Sequence, residues 1–267
     1  MIRDITLGQY YPADSILHRL DPRVKLVTTI VFIVSLFLID SWVGYAIATI
    51  FLGAMIQLSK VPFGFMVRGL KAVIMILLIT VVFNLFLTPG EKVLVQVWRL
   101  KITDTGLRTA VFMAIRLIYL IVGSSIMTLT TTPNDLTDGL EKLLGPFKKL
   151  HVPVHEIAMM MSIALRFIPI LLEETDKIMK AQIARGADFE SGNILQKAKN
   201  LVPLLVPLFI SAFRRANDLA MAMEARCYHG GEGRTKMKPL KYTRRDYTAY
   251  GVALCFLAAI LAVRVIG

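Results

Sequence analysis

The sequence predicts an all-α integral membrane protein, with about five transmembrane helices and a cytoplasmic region of about three helices, two of them long. Three observations predict it. Of 267 residues, 55% are hydrophobic and 19% charged, whereas soluble domains carry closer to a quarter charged. Charge-free runs approach the roughly 20 residues that a bilayer core requires. The formal charge of +12 is carried by Lys and Arg residues that sit between those runs. Basic balance has three common sources: nucleic acid, anionic lipid or the cytoplasmic face of a membrane. Its position between apolar runs selects the membrane and excludes nucleic acid. Two cysteines, Cys227 and Cys255, exclude a disulfide framework or a zinc cluster. The first 23 residues contain no apolar h-region, so we expect no removable signal peptide and a first span that does the targeting.

Leu26–Ile39 is free of charge between Lys25 and Asp40, and Trp42–Leu58 follows at once. The pair reads as a tight helical hairpin, with Lys25 snorkelling at one end and Trp42 in the interfacial belt at the other. Ala72–Pro89 is expected as a third span, Thr109–Thr132 as a fourth interrupted by Arg116, and Tyr247–Val263 as a fifth. Arg19, Arg23 and Lys25 precede the first span, and Lys60, Arg68 and Lys71 separate the second from the third. The positive-inside rule therefore places the N-terminus in the cytoplasm and, with five spans, the C-terminus outside. The loop with Glu91, Lys92, Arg99, Lys101 and Arg108 falls outside despite its basic residues. Arg116, near one end of its span, is expected to snorkel, and Gly123-Ser124-Ser125 to permit close helix packing.

Three domains follow: 1–132 with four spans, 133–246 in the cytoplasm, and 247–267 as the last span. Within the middle one, Thr132-Pro133-Asn134-Asp135 supplies an N-cap, a proline at the first helical position and an acid at the third. A short helix should run to Leu144 and stop at Gly145-Pro146. Val154–Leu172 is apolar but interrupted by His155, Glu156, Arg166 and Pro169, and Leu201–Phe213 is too short to cross and carries Pro203 and Pro207. Both are expected to lie along the membrane surface or against protein, with one or both spanning as the alternative. Each continues into a charged amphipathic half of helical period, the first ending at Gly186 and the second before Gly230-Gly231.

These two helices end alike. Ala181-Gln182-Ile183-Ala184-Arg185-Gly186 and Ala222-Met223-Glu224-Ala225-Arg226-Cys227 both read A-x-x-A-R-(G/C). Small residues (Ala184 and Gly186, Ala225 and Cys227) flank each arginine, so a groove on another protein can receive the tip. A guanidinium offers five donors in a rigid fork suited to carboxylates and carbonyls. The plainer account is that a cation in a last helical turn is favoured by the helix dipole.

The pair of small-Arg-small tips resembles the signature of the transmembrane T component of energy-coupling factor (ECF) transporters, a family that includes cobalt-transport membrane subunits. His18-Arg19-Leu20-Asp21-Pro22-Arg23-Val24-Lys25-Leu26 is similar to the family's opening motif. Thr131-Thr132-Pro133-Asn134-Asp135-Leu136 with Gly139-Leu140-Glu141-Lys142-Leu143-Leu144, and Ala164-Leu165-Arg166-Phe167-Ile168-Pro169, are family-like stretches. The resemblance covers nearly the whole chain in order. It implies a non-catalytic scaffold and energy transducer in the plasma membrane that needs no cofactor of its own. Two cytoplasmic ATP-binding-cassette subunits would bind ATP and magnesium, and each would receive one tip, Arg185 or Arg226. Closure of the ATPase pair would drive the tips together and reorient a membrane-embedded S component carrying a vitamin or metal ion. Clustered methionines (Met159, Met160, Met161, Met179, Met221, Met223) suit a surface that accepts several partners and equally suit core filling.

A stand-alone secondary transporter is the alternative, but it needs paired polar residues and broken helices in related halves, and only Asn84 and Arg116 offer themselves. His155-Glu156 begins an H-E-x-x-H pattern whose second histidine is replaced by Met159. His151 and His155 are separated by Pro153, which argues against a shared metal-binding helix face. No G-x-x-x-x-G-K-(S/T) sequence occurs, so the chain has no phosphate-cradling loop of that kind.

Overall fold

A computed structural model describes residues 10–88, 93–97, 100–189, 193–231, 237 and 239–266. Among the described residues the helices are α1 (Pro22–Phe37), α2 (Trp42–Ser59), α3 (Phe63–Leu87), α4 (Asp104–Thr130), α5 (Pro133–Leu143), α6 (Val154–Ala184), α7 (Ile194–Glu224) and α8 (Arg244–Ile266). A 3-10 turn, Gly145–Leu150, follows α5. The all-α expectation holds, with one addition. Strands β1 (Val93–Val97) and β2 (Leu100–Thr103) pair antiparallel between α3 and α4, where the sequence reading had only a loop.

The chain divides into two compact units, one of Gly8–Gly139 with Leu240–Gly267 and one built on Leu140–Pro239. In the first unit α1 packs on α4 and α8, α2 on the same two helices, and α3 on α4. Leu36, Ala48, Val122 and Ile260 lie in its core, each at most 3% exposed. The Phe32 ring packs against Phe51 and Phe256, with both centroids 5.9 Å away. Gly123 of α4 is what admits this ring: a Cβ added there would lie 2.3 Å from Phe32 Cε1. The small-residue stretch in the fourth span thus serves packing within this chain.

The N-terminal motif has a structural reading. Asp21 caps α1, accepting the Arg23 backbone N–H at 2.9 Å while the Arg23 guanidinium forks onto both of its oxygens. Asp246, 1% exposed, accepts the Asp21 N–H at 2.9 Å and the Thr243 N–H and hydroxyl at 2.7 Å. That caps α8 and ties it to the start of α1. Lys25, expected to snorkel, is instead buried and donates to the Thr130 carbonyl at 2.8 Å. A cation is favoured at that helix C-terminus. Arg116 reaches the α1–α2 turn, donating to the Ile39 carbonyl at 2.9 Å.

The expected spans become helices, but not all reach spanning length. By length and composition α2, α4, α6 and the Arg244–Val265 part of α8 are long and apolar enough to cross a membrane. Helix α1 has 16 residues, about 24 Å at 1.5 Å per residue, and the apolar stretch of α3 is Val73–Phe86. Helix α6 has the length and apolar composition of a span, the alternative given for Val154–Leu172. It runs unbroken through Pro169 for 31 residues, because a proline removes one ladder bond and bends a helix without ending it when the flanking turns hold.

Candidate functional site

Helices α6 and α7 form an antiparallel hairpin that carries both arginine tips. Its pairing is built from residues in contact along its length. Asn200 Nδ2 donates to the Asp188 carbonyl at 2.7 Å, close to the turn. Gln182 Nε2 donates to the Pro203 carbonyl at 3.3 Å. That carbonyl is open because residue 207 is a proline with no N–H to return to it. Farther along, Arg215 Nη2 meets Glu174 Oε2 at 3.2 Å, with both side chains partly buried. At the far end the backbone of Gly231 abuts the His155 ring. His155 is held in turn by Glu141 Oε1, 2.9 Å from its Nδ1, at the start of α6.

The antiparallel course puts the two tips at opposite ends. Arg185 stands at the hairpin turn, level with the start of α7, and Arg226 stands past the end of α7, level with the start of α6. From Asn200 to Arg226 the helix covers roughly 40 Å at about 1.5 Å per residue. The Glu174–Arg215 pair lies midway in a further sense: it precedes each arginine by 11 residues (185 − 174 and 226 − 215). The sequence repeat is therefore matched by a repeat in how far each tip extends beyond the pairing.

Each tip is built on the same backbone motif. The Ala187 N–H returns to the Gln182 carbonyl at 3.0 Å and the Gly186 N–H to Ile183 at 2.9 Å, with Gly186 at φ +88°. At the second tip the Tyr228 N–H returns to the Met223 carbonyl at 3.1 Å and the Cys227 N–H to Glu224 at 2.8 Å, with Cys227 at φ +55°. This is the Schellman closure, which satisfies the orphan carbonyls of a helix end through one left-handed residue. Arg185 and Arg226 each immediately precede that residue. Ala184, Arg185, Gly186, Ala225, Arg226 and Cys227 are all exposed. The second helix closes at Cys227, before Gly230-Gly231 as the sequence reading has it. What position 227 requires is a left-handed backbone rather than a small side chain.

A prediction arises here. Left-handed geometry costs a residue with a Cβ about 1–2 kcal/mol, a cost glycine escapes. Nothing lies within 4 Å of a Cβ added at Gly186, so Gly186→Ala tests conformation alone. It should lower amide-exchange protection at Ala187 about 5- to 30-fold, and Cys227→Gly should raise protection at Tyr228 by a similar factor. Unchanged exchange in both would show that the closures do not hold the tips.

Apolar side chains are also displayed. Val202, Leu205, Val206, Phe209, Ile210 and Phe213 recur on one face of α7, each at least 45% exposed. Of the clustered methionines, Met160, Met161 and Met221 are at least 40% exposed, which favours surface over core filling for these three. Residues of the Leu140–Pro239 unit thus combine two cationic points with an uncovered apolar helix face.

Fold and tips together define a multi-pass helical membrane protein that presents basic helix ends from a helical hairpin. The chain belongs to the CbiQ family of cobalt transport proteins, whose family model matches residues 13–237. It is 58% identical over 261 residues to the energy-coupling factor transporter transmembrane protein EcfT of Clostridium kluyveri, covering 97% of this chain and 96% of the relative. The EcfT proteins of Thermosediminibacter oceani (57%, 93% of this chain and 94% of the relative) and Bacillus subtilis (49%, 98% of each) are similar over the same extent. The family resemblance drawn from the two tips and the N-terminal motif is met by these matches.

Proposed function

We propose that this chain is the scaffold and energy-transducing subunit of an ATP-driven importer of the energy-coupling factor type. It would stand in the plasma membrane with its N-terminus in the cytoplasm. The observation that carries the reading is the pair of identically closed, exposed arginine tips at opposite ends of one hairpin. Two sites roughly 40 Å apart serve two separate partners better than one. Each of two cytoplasmic ATP-binding-cassette subunits receives one tip, with Arg185 and Arg226 presented as forks to carboxylates or carbonyls. The flanking residues, Ala184 and Gly186 at one tip and Ala225 and Cys227 at the other, keep the approach open. ATP and magnesium belong to those subunits, and this chain supplies neither a cofactor site nor a catalytic group.

The hairpin transmits the motion. Closure of the ATPase pair displaces both tips, and the Glu174–Arg215 pair makes α6 and α7 respond together. Packed helices move between discrete arrangements, so a small shift at the tips is amplified. The apolar face of α7 supports docking of a membrane-embedded S component, which carries the vitamin or metal ion. The relatives' names, which describe a transmembrane protein of an energy-coupling factor transporter, support the same assignment.

The test is to tag the chain, extract it from native membranes in mild detergent and identify what accompanies it. Two ATP-binding-cassette subunits and one or more small membrane proteins are expected, with the ATPases lost from the Arg185→Ala/Arg226→Ala variant. If the chain purifies alone and still moves a solute, it is a stand-alone secondary transporter and the proposal fails.

A further inference from the structure

One end of the Gly8–Gly139/Leu240–Gly267 unit brings Arg108, Arg116 and Arg264 near Asp40. There the α1–α2 turn, α4 and the last turn of α8 enclose a cavity of about 280 Å³, lined in part by Leu38, Asp40, Arg108, Ile260, Val263 and Arg264. Arg108 Nη2 donates to the Asp40 carbonyl at 3.1 Å. Arg116 Nη2 donates to the Ile39 carbonyl, and its Nε is buried without a hydrogen-bond partner. These bonds tie α4 to the α1–α2 turn, past the C-cap of α1 at Leu38. Of the three arginines at this end, Arg108 and Arg264 line the cavity. Asp40, the one carboxylate of the cavity wall among the described residues, is 70% exposed and stands 3.9 Å from Arg116, beyond hydrogen-bond reach. Arg264 is exposed on α8.

The surroundings say at what depth this end sits. Trp42, 57% exposed, stands edge-on to Phe112 with centroids 4.8 Å apart. Exposed tryptophans flanking apolar helices mark the membrane–water interface. The cavity wall is mixed, with Arg108 and Arg264 alongside Leu38, Ile260 and Val263.

We propose that this cavity binds a phosphate-type oxyanion, and that its occupant is the phosphodiester headgroup of an anionic phospholipid. Guanidinium forks match phosphate oxygens in pairs, and basic pockets between membrane helices hold anionic headgroups. The lipid is favoured over free phosphate because an apolar wall adjoins the cations, giving the acyl chain a surface where a free ion would have none.

The protein, with whatever subunits accompany it from the membrane, is reconstituted in phosphatidylcholine with or without phosphatidylglycerol, then washed in neutral detergent. Phosphatidylglycerol retained per chain is counted by mass spectrometry, and thermal unfolding is followed in parallel. The wild type should retain phosphatidylglycerol and gain thermal stability from it. Arg264→Gln should retain about tenfold less or lower, while unfolding normally in phosphatidylcholine alone. Arg108→Gln is the second variant, with the same expected loss of retention. Equal retention by the wild type and both variants overturns the site. Stabilisation of the wild type by inorganic phosphate in phosphatidylcholine, lost in Arg264→Gln, would keep the oxyanion site and overturn the lipid as occupant.

Discussion

Replacing Arg185 with alanine is expected to weaken retention of ATPase subunits by about 10- to 100-fold, and replacing Arg226 by a similar factor. A hydrogen bond to a charged group contributes about 1.5–3 kcal/mol, and a buried acceptor left without its donor loses at least that much. Because the tips stand at opposite ends of the hairpin, their losses should add, giving about 10²- to 10⁴-fold in the double variant. Titrating purified ATPase subunits against reconstituted variants measures all three. The outcome separates the fork from a simple helix-end cation. If the arginines only complement the helix dipole, alanine costs about 0.3–1 kcal/mol, less than roughly sixfold. Lysine would then restore everything. For a bidentate contact lysine restores the charge but not the paired geometry, so Arg185→Lys and Arg226→Lys should fall between alanine and wild type. Full rescue by lysine would remove the basis for reading the tips as docking points.

The two arginines were legible in the sequence, and the frame that gives them meaning was only half legible. A charge-free run declares a helix directly, which is why α2 at Trp42–Ser59 was anticipated almost to its ends, whereas α4 starts at Asp104, five residues before the expected Thr109. The start of α5 was readable as well. Thr132 Oγ1 accepts the Asp135 N–H at 3.1 Å and donates to the Asp135 carboxylate at 2.7 Å, a local cap signal. Helix α6 was readable as one helix ending at Gly186, and it carries Arg166 and Pro169 within its 31 residues. The pairing of Glu174 with Arg215 joins residues 41 apart and leaves no local signal. It becomes visible only when the repeat of the two tips is carried back by 11 residues along both helices. The left-handed role of Gly186 was readable from the glycine. That of Cys227 was not, because cysteine has no preference for that conformation and only the closing bonds reveal it.

Gly123→Ala should destabilise the Gly8–Gly139/Leu240–Gly267 unit by about 1–3 kcal/mol, the usual cost of overpacking. The added methyl would fall 2.3 Å from Phe32 Cε1 and 2.9 Å from its Cδ1, well inside contact distance, so something must shift. Whether the cost is large depends on whether the ring can yield. Phe32 is 5% exposed, and its centroid is 5.9 Å from that of Phe51 on α2 and equally far from that of Phe256 on α8. Those two rings stack on each other at 4.2 Å. Turning Phe32 aside therefore disturbs three helices at once, and interiors packed this closely give little room for a single ring to move. Gly123→Val should cost more, through a second methyl on a stiff β-branched side chain. Thermal unfolding in detergent measures both. The decisive variant is Gly123→Ala with Phe32→Leu, in which the smaller side chain vacates the space the methyl needs. If the clash is the mechanism, the double variant is more stable than the two single costs predict, a coupling of about 0.5–3 kcal/mol. Simple additivity would mean that Gly123 matters for another reason, and that α1 and α4 do not owe their close approach to the missing side chain.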